Sequence, residues 1–460
     1  MVFSIFACFS QVLASPQNLS PSLLNTFTNP TTGTYDEFAR SVAFVGDDLF
    51  AVGAAGDDST GTNFGVAYLF GEIGDLRIIV TNPIPPASIF GFGQTVAGFG
   101  NERFLVGGPA SSNVYLFATN GALLATITNP ALVANDRFGA SIVAVGEDHI
   151  LIGAPDARAA GPTSSRVGKA YLFTTNGTLY QSFVNPAIAS GKYFGYSVAA
   201  SVTGLLVIGA DGNTVSNQVA AGAVFLYRTN GTLIKSINNP VPGPNHYFGA
   251  SVAVLGSDRV LIGAPDAFRL VANEGIAYLF NTNGNLLTTF TNPVPVAGDN
   301  FGWSVASLKD ELVLISSRSS DIGASGSGAV FAFSTNGSLL CVITNPIPTE
   351  FAAFGFSLAS HESGEILVGA TYQSRNGISY VGEAYRFQLW PLLEITQTPP
   401  NTIAVSWPSL PSGFLLQQNI LAVTSPSWSN ATGVYLDDGT NKTMTLNEQS
   451  VNGFYRLMKQ

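Results

Sequence analysis

Residues Phe248 to Pro293 read FGASVAVLGSDRVLIGAPDAFRLVANEGIAYLFNTNGNLLTTFTNP, and this stretch decides the fold. It holds four runs of about five to seven residues rich in Val, Ile, Leu, Tyr and Phe, parted by Gly, Asn, Asp and Pro. That is the pattern of short strands and turns, with no helix signal among them. The same phrase recurs along the chain. Its opening aromatic falls at Phe38, Phe92, Phe138, Phe194, Phe248, Phe301 and Phe354, about fifty residues apart. The second phrase recurs as Gly53-Ala54-Ala55, Gly107-Gly108-Pro109, Gly153-Ala154-Pro155, Gly209-Ala210-Asp211, Gly263-Ala264-Pro265 and Gly369-Ala370-Thr371, while the sixth copy has Ser316-Ser317 instead.

Five of the third-to-fourth connections contain Asn-Gly, at Asn120, Asn176, Asn230, Asn283 and Asn336. Asn-Gly accepts the positive φ angles of a two-residue hairpin, so the runs it joins are expected to be antiparallel neighbours. Four antiparallel strands per repeat of this length predict a propeller blade. The fold class expected is therefore all-β: a seven-bladed β-propeller of four-stranded antiparallel blades. The ends of the repeat fit one another. Leu23 to Pro30 (LLNTFTNP) is a fourth-strand phrase with no blade before it, and the seventh copy stops at Phe387 without one. The N-terminal strand is expected to complete the last blade and close the ring, leaving no unpaired sheet edge. At least two of Leu23, Leu24 and Phe27 should then point inward.

Composition bounds the function. The chain has 460 residues, 46% of them apolar and 10% charged, with 19 basic and 29 acidic side chains and a formal net charge of −10. Such a chain has ample apolar content for a packed core and is not disordered. An acidic balance without a Lys/Arg cluster argues against nucleic acid or an anionic membrane as partner. Cys8 and Cys341 make no disulfide framework and no thiolate metal site. No charged side chain precedes Asp36, and the apolar run Val2 to Leu13 followed by Ala14 and Ser15 reads as a signal segment over residues 1–15, although without a basic start. The repeats span 22–390, residues 391–400 read as a linker around Thr398-Pro399-Pro400, and 401–460 read as a small C-terminal β-sandwich.

The FGxS, GAP and AYLF phrases resemble FG-GAP repeats, the units of the integrin alpha-subunit propeller and of many secreted bacterial proteins. The SWP, GFLLQQN and FYRL phrases of the C-terminal part are similar to a module on secreted proteins of verrucomicrobial and planctomycete-type bacteria. The first resemblance implies an extracellular binding scaffold. Its family commonly holds calcium in a DxDxDG loop between the first two strands of a blade, where several oxygens converge on one ion. The corresponding connections here are as short as Gly46-Asp47-Asp48, Gly146-Glu147-Asp148 and Gly256-Ser257-Asp258, too short to wrap an ion. These calcium sites are not carried over, and no metal or other cofactor is expected.

Candidate site residues fall in two sets. Asp57, Asp58, Asp156, Asp211 and Asp266 stand near the ends of second strands, where a carboxylate can bind a ligand or cap its own loop. Asp136, Arg137, Lys192, Tyr193, His246, Tyr247 and Asp299 immediately precede the first strands, where they are expected to ring the channel mouth on the loop-rich face. Charge next to aromatic surface is the usual content of an interface anchor. His149, His246 and His361 form no catalytic set. Gly91-Phe92-Gly93-Gln94-Thr95-Val96 begins like a dinucleotide motif but is in register with the repeat. The expected function is a secreted or cell-surface recognition or adhesion scaffold, a monomer binding a protein or glycan and not an enzyme. The alternatives are an extracellular polysaccharide lyase or hydrolase, and a purely structural module.

Overall fold

A computed structural model describes residues 19–459 apart from 60, 62–63, 85–90, 132–134, 160–164, 188–191, 392, 399–401, 410–413, 420–427, 439–440 and 448–453. The expected signal segment lies outside the described residues. Every regular element among them is a β-strand. In the fifth copy Ser251–Leu255, Arg259–Ala264, Ile276–Asn281 and Leu286–Thr291 pair antiparallel in chain order. Four-stranded sheets in chain order also occupy 38–81, 95–128, 141–184, 194–238 and 301–344. In a further sheet Phe354–Ser360, Glu365–Ala370 and Glu383–Pro391 follow one another, and Leu19–Thr28 lies beside the last of them.

Second and third strands are buried nearly throughout, whereas the fourth strands of the first five copies bury one position, occupied by Val80, Ile127, Phe183, Ile237 and Phe290, and that of the sixth buries Leu340, Cys341 and Ile343. Each fourth strand ends its sheet, with a neighbour on one side only. The N-terminal strand follows the same pattern. Phe27 is buried and packs on Phe50 and Phe70, with ring centroids 5.4 and 5.2 Å apart, while Leu23 and Leu24 are 44% and 37% exposed. One side chain points inward, where two were expected. Arg386 of the seventh copy donates to Asn25 Oδ1 (3.2 Å), to the Glu72 carbonyl (2.9 Å) and to Glu365 (2.9 Å), so its buried charge is paired.

The recurring phrases have a common physical cause. Phe-Gly forms the middle of a turn in which the N–H after glycine donates to the carbonyl before phenylalanine. Ala250 thus donates to Tyr247 (2.9 Å), Tyr196 to Tyr193 (3.0 Å) and Trp303 to Asn300 (3.1 Å). The glycine takes φ of 91° at Gly249, 85° at Gly195 and 89° at Gly302, the third position of a type II turn, which favours a residue without Cβ. The following serine donates to the same glycine of the next copy, Ser141 to Gly195 (2.9 Å), Ser197 to Gly249 (2.7 Å) and Ser251 to Gly302 (2.8 Å). Ser357 of the seventh copy donates likewise to Ala39 of the first (2.9 Å). The glycine of the second phrase lies against this spot. A Cβ on Gly263 would stand 2.1 Å from the Gly302 carbonyl oxygen, and one on Gly369 would stand 2.3 Å from that of Ala39. The two phrases are the two sides of one inter-sheet contact.

The Asn-Gly connections differ from expectation. The strands are antiparallel neighbours, but only the glycine has positive φ, as at Gly121 (87°), Gly177 (84°) and Gly284 (83°). Each such turn is closed from the glycine N–H to a carbonyl three residues back, and the register shifts beside it, as between Leu279 and Phe280. A longer loop with a bulge therefore replaces the two-residue hairpin. Asn120, Asn176 and Asn230 instead accept from the N–H two residues on, each at 3.0 Å.

The chain divides into two compact units, one made of Leu23–Gly337 and Val342–Gln388, the other including Leu389–Gln460. In the latter, one sheet orders Glu394–Thr398, Thr402–Pro408, Asn441–Asn447 and Leu436–Asp437, and another orders Ser429–Asn430, Phe414–Asn419 and Phe454–Lys459. Val405, Trp407, Leu416 and Met444 from both sheets form one core. The segment expected as a linker contains a strand, because the residues flanking Pro399-Pro400 pair with each other, Thr398 with Thr402.

Candidate functional site

Two kinds of loop emerge together at the start of the first strands. In the first, third, sixth and seventh copies the carbonyl two residues before the phrase's phenylalanine accepts from an amide just past the second strand, as Asp36 from Gly56 (3.0 Å), Asp136 from Asp156 (3.1 Å) and Ala352 from Tyr372 (3.1 Å). Asparagines of the fourth-strand phrase tie this junction down. Asn29 and Asn292 donate to Asp36 and Asp299 at 2.6 Å, Asn129 to Asp136 at 3.4 Å, and Asn239 Nδ2 lies 3.5 Å from His246 Nδ1. Asp136, His246 and Asp299 are consequently buried, turned into the loop and away from solvent. Burial pushes the Asp299 and Asp36 carboxyls up to about 6, against the hydrogen bonds they accept.

Among the remaining candidates of that set, Lys192 and Tyr193 are exposed, and Arg137 and Tyr247 partly so. Arg137, Tyr193 and Tyr247 have φ of 55°, 60° and 53°, a left-handed backbone uncommon for such residues and held here by the turn. The loop carboxylates divide. Asp57 is buried and caps its loop by accepting from Ser59 N (2.8 Å), Thr31 Oγ1 (2.7 Å) and Tyr68 OH (2.5 Å). Asp156 meets Arg166 at 3.5 Å, and Asp266 accepts from Asn300 Nδ2 (2.6 Å). Asp211 is 4% exposed, its Oδ1 has no hydrogen-bond partner, and burial pushes its carboxyl up to about 7.

Sequence reasoning passed over the richest positions. The residue after Phe-Gly is Arg40 (after Phe38-Ala39), Gln94, Ala140, Tyr196, Ala250, Trp303 or Phe356, and in the sixth copy Arg318 stands where GAP has its proline. The Arg318 guanidinium carbon lies 3.4 Å from the Trp303 ring centroid and 5.9 Å from that of Phe356, Arg40 lies 5.5 Å over Phe356, and Arg137 lies 6.0 Å over Tyr196. The Arg318 Nε is buried and donates to nothing. Desolvation lowers the Arg318 pKa, and desolvation followed by the Asp211 charge raises that of Tyr196, against Arg137, Arg318 and Arg40. A file of rings runs beside them, with centroids 5.5 Å apart for Trp303 and Phe356, 5.7 Å for Phe356 and Tyr372, 5.6 Å for Tyr372 and Tyr380 and 5.0 Å for Tyr380 and Tyr35. Tyr35, Glu37, Arg40, Asp58 and Gln94 line a cavity of about 550 Å³.

Guanidinium groups over aromatic faces, with an unpaired nitrogen and an unpaired carboxylate oxygen, suit the binding of a polar ligand. Among the described residues no group of three or more His, Cys, Asp or Glu is placed to hold a metal ion. No helix among them is long and apolar enough to cross a membrane. The signal in the sequence was the variable letter inside FGxS, a position that the packing shared by all copies leaves free.

Comparison with known proteins places the fold. The model of the FG-GAP repeat matches residues 25–70 and 289–333, each running from a fourth-strand phrase through the third strand of the next copy. No curated protein matches. Among solved structures the chain is similar to virginiamycin B lyase from Staphylococcus aureus, with 12% identity, 81% of this chain and 99% of that one covered and a TM-score of 0.52. A catalytically inactive variant of that lyase with quinupristin gives 12%, 81%, 100% and 0.54. The RRP9 WD40 repeats give 12%, 80%, 97% and 0.53. Identity at this level extends to fold alone. The chain carries FG-GAP repeats and has the β-propeller fold of four-stranded antiparallel blades.

Proposed function

We propose that the chain is a recognition scaffold, secreted or held at a cell surface, that binds a protein or glycan through the loop-rich face of its propeller and acts as a monomer. In this reading seven blades close into a ring through the N-terminal strand, and the C-terminal unit is a β-sandwich module. The observation that carries it is the gathering of Arg40, Arg137, Arg318 and the aromatic file at the loop-bearing ends of the first strands. Rigid sheets presenting variable loops suit binding, because the ligand does not have to order the residues that meet it. Asp136, His246 and Asp299 support the loops, and Arg137, Lys192, Tyr193 and Tyr247 form the contact surface. The likeness to a lyase reaches the fold alone, so the reading is of a binding protein.

The test is capture of glycans and surface proteins by the full chain. Replacing Tyr193 and Tyr247 together by Ala is expected to weaken capture at least tenfold, about 1.4 kcal/mol, with little loss of stability. Capture that survives this change, yet is lost when the Asn176-Gly177 turn is altered, would place binding on the opposite face.

A further inference from the structure

Within the loop-rich face, two buried polar atoms lack partners in the same neighbourhood. One is a donor, Arg318 Nε, and the other an acceptor, Asp211 Oδ1. Buried polar atoms are ordinarily satisfied, and leaving them unmade is costly. The two do not satisfy each other, although both lie near enough to the Tyr196 hydroxyl to shift its ionisation. Arg137 lies 6.0 Å over the Tyr196 ring, and its charge acts against the rise of the Asp211 carboxyl. Arg40 is paired with Glu37 at 2.7 Å at the edge of the cavity that it shares with Gln94. A ligand that completes this set must bring an oxyanion to the guanidinium groups and a hydroxyl donor to the carboxylate.

The aromatic file narrows the class. Tyr35, Tyr380, Tyr372 and Phe356 follow one another at centroid spacings of 5.0, 5.6 and 5.7 Å and lead to Arg40 and Arg318. Tyrosine rings offer flat apolar faces with a polar edge, which match a sugar ring having C–H bonds on its face and hydroxyls around its rim. An acidic sugar carries the oxyanion, the hydroxyl and the flat face in one unit. An acidic peptide has its carboxylates on flexible stems and no such face.

We propose that Arg137, Arg318 and Asp211 form a subsite for an acidic sugar of a glycan, with its carboxylate or sulfate on the arginines, a neighbouring hydroxyl donating to Asp211 Oδ1, and adjoining sugars lying along the aromatic file. This rests on the reading that the loop-rich face binds ligands, and it adds the ligand's chemistry. Arg–oxyanion hydrogen bonds are charge-assisted and are the stronger kind.

Isothermal titration of the full chain with a galacturonate hexamer, a sulfated galactan hexamer, neutral maltohexaose and a glutamate hexapeptide tests it. Saturable binding of one or both acidic glycans is expected, with the preferred one identifying carboxylate or sulfate as the natural group. Arg137→Gln and Arg318→Gln should each weaken that binding at least tenfold, and raised salt should weaken it in the parent. Arg318 is partly buried, so the melting curve of each variant is recorded, and Arg137 carries the decision if Arg318→Gln is unstable. The proposal is overturned if neither acidic glycan binds, if maltohexaose binds as tightly, or if a folded Arg137→Gln leaves affinity unchanged. Equal, Arg137-dependent binding of the glutamate peptide also overturns it, in favour of a protein ligand. Capture that depends on Tyr193 and Tyr247 but on neither arginine would leave the loop-face reading standing and remove the subsite.

Discussion

Phe27 offers the sharpest test of how the two ends of the repeat region hold together. It is 1% exposed and packs against Phe50 and Phe70 of the first copy. Truncating a buried phenylalanine to alanine removes its transfer free energy and leaves a cavity, costing about 3–5 kcal/mol. Phe290 holds the equivalent position in the fifth copy, 5.4 Å from Phe333, in a strand joined to its sheet by the chain itself. Phe290→Ala should carry a similar local cost. The strand Leu19–Thr28, by contrast, lies beside Glu383–Pro391 from the far end of the repeat region. Losing the Phe27 contact also loosens that strand and bares a sheet edge, which promotes pairing between molecules. At roughly 1 °C per kcal/mol for a unit of this size, melting should fall by about 3–5 °C in both variants. Light scattering on gentle heating should rise in Phe27→Ala well before it rises in Phe290→Ala. A Phe27→Ala protein that melts with the parent and stays monomeric would refute the argument that this strand completes the seventh blade.

Asp211 has its carboxyl raised by burial to about 7, so between pH 4 and 7 the folded chain keeps a proton that the unfolded chain has lost, and stability falls as pH rises through that window. Asp211→Asn should therefore melt close to the parent at pH 4 and above it at pH 8, by on the order of 4 kcal/mol at most. A melting difference that shrinks as pH rises would contradict this sign. Gly263→Ala, whose Cβ would stand 2.1 Å from the Gly302 carbonyl oxygen, should force the fifth and sixth blades apart and cost about 1–3 kcal/mol in urea unfolding. Chelation is expected to leave the melting temperature unchanged, because the short first-to-second-strand turns cannot wrap calcium. Micromolar calcium uptake of several equivalents in calorimetry would reverse that expectation.

Much of the fold was legible because each blade solves the same problem with the same letters. The phenylalanine of FGxS is buried in every copy, its glycine turns the chain with positive φ, and the GAP glycine makes room for the turn of the next sheet. What stayed hidden depends on where a position sits within its sheet. Leu23 and Leu24 look as apolar as Phe27, yet an end strand has neighbours for one of them only. Asp136 and Asp299 look like surface acids, and their burial becomes intelligible only with Asn129 and Asn292 folded back on them from seven residues earlier. The Asn-Gly pairs signalled hairpins correctly, but the bulge that displaces their register is a property of the paired strands.

The candidate site follows the opposite logic. A position that every blade uses for packing repeats from copy to copy, so a position that departs from its own repeat is where selection for packing has least hold. Ala140 and Ala250 occupy the slot after Phe-Gly at no cost to the turn, which shows that the fold asks for nothing large there. Tyr196, Trp303 and Phe356 fill the same slot with aromatic rings, and Arg40 fills it with a cation. Arg318 replaces a proline of GAP with a guanidinium whose desolvation is unfavourable and which lies 3.4 Å from the Trp303 ring centroid. Packing does not demand these choices, and they cluster instead of scattering around the repeat. The binding role proposed for this face accounts for a set of substitutions that is unnecessary to seven similar turns, costly in desolvation and concentrated on one group of neighbours.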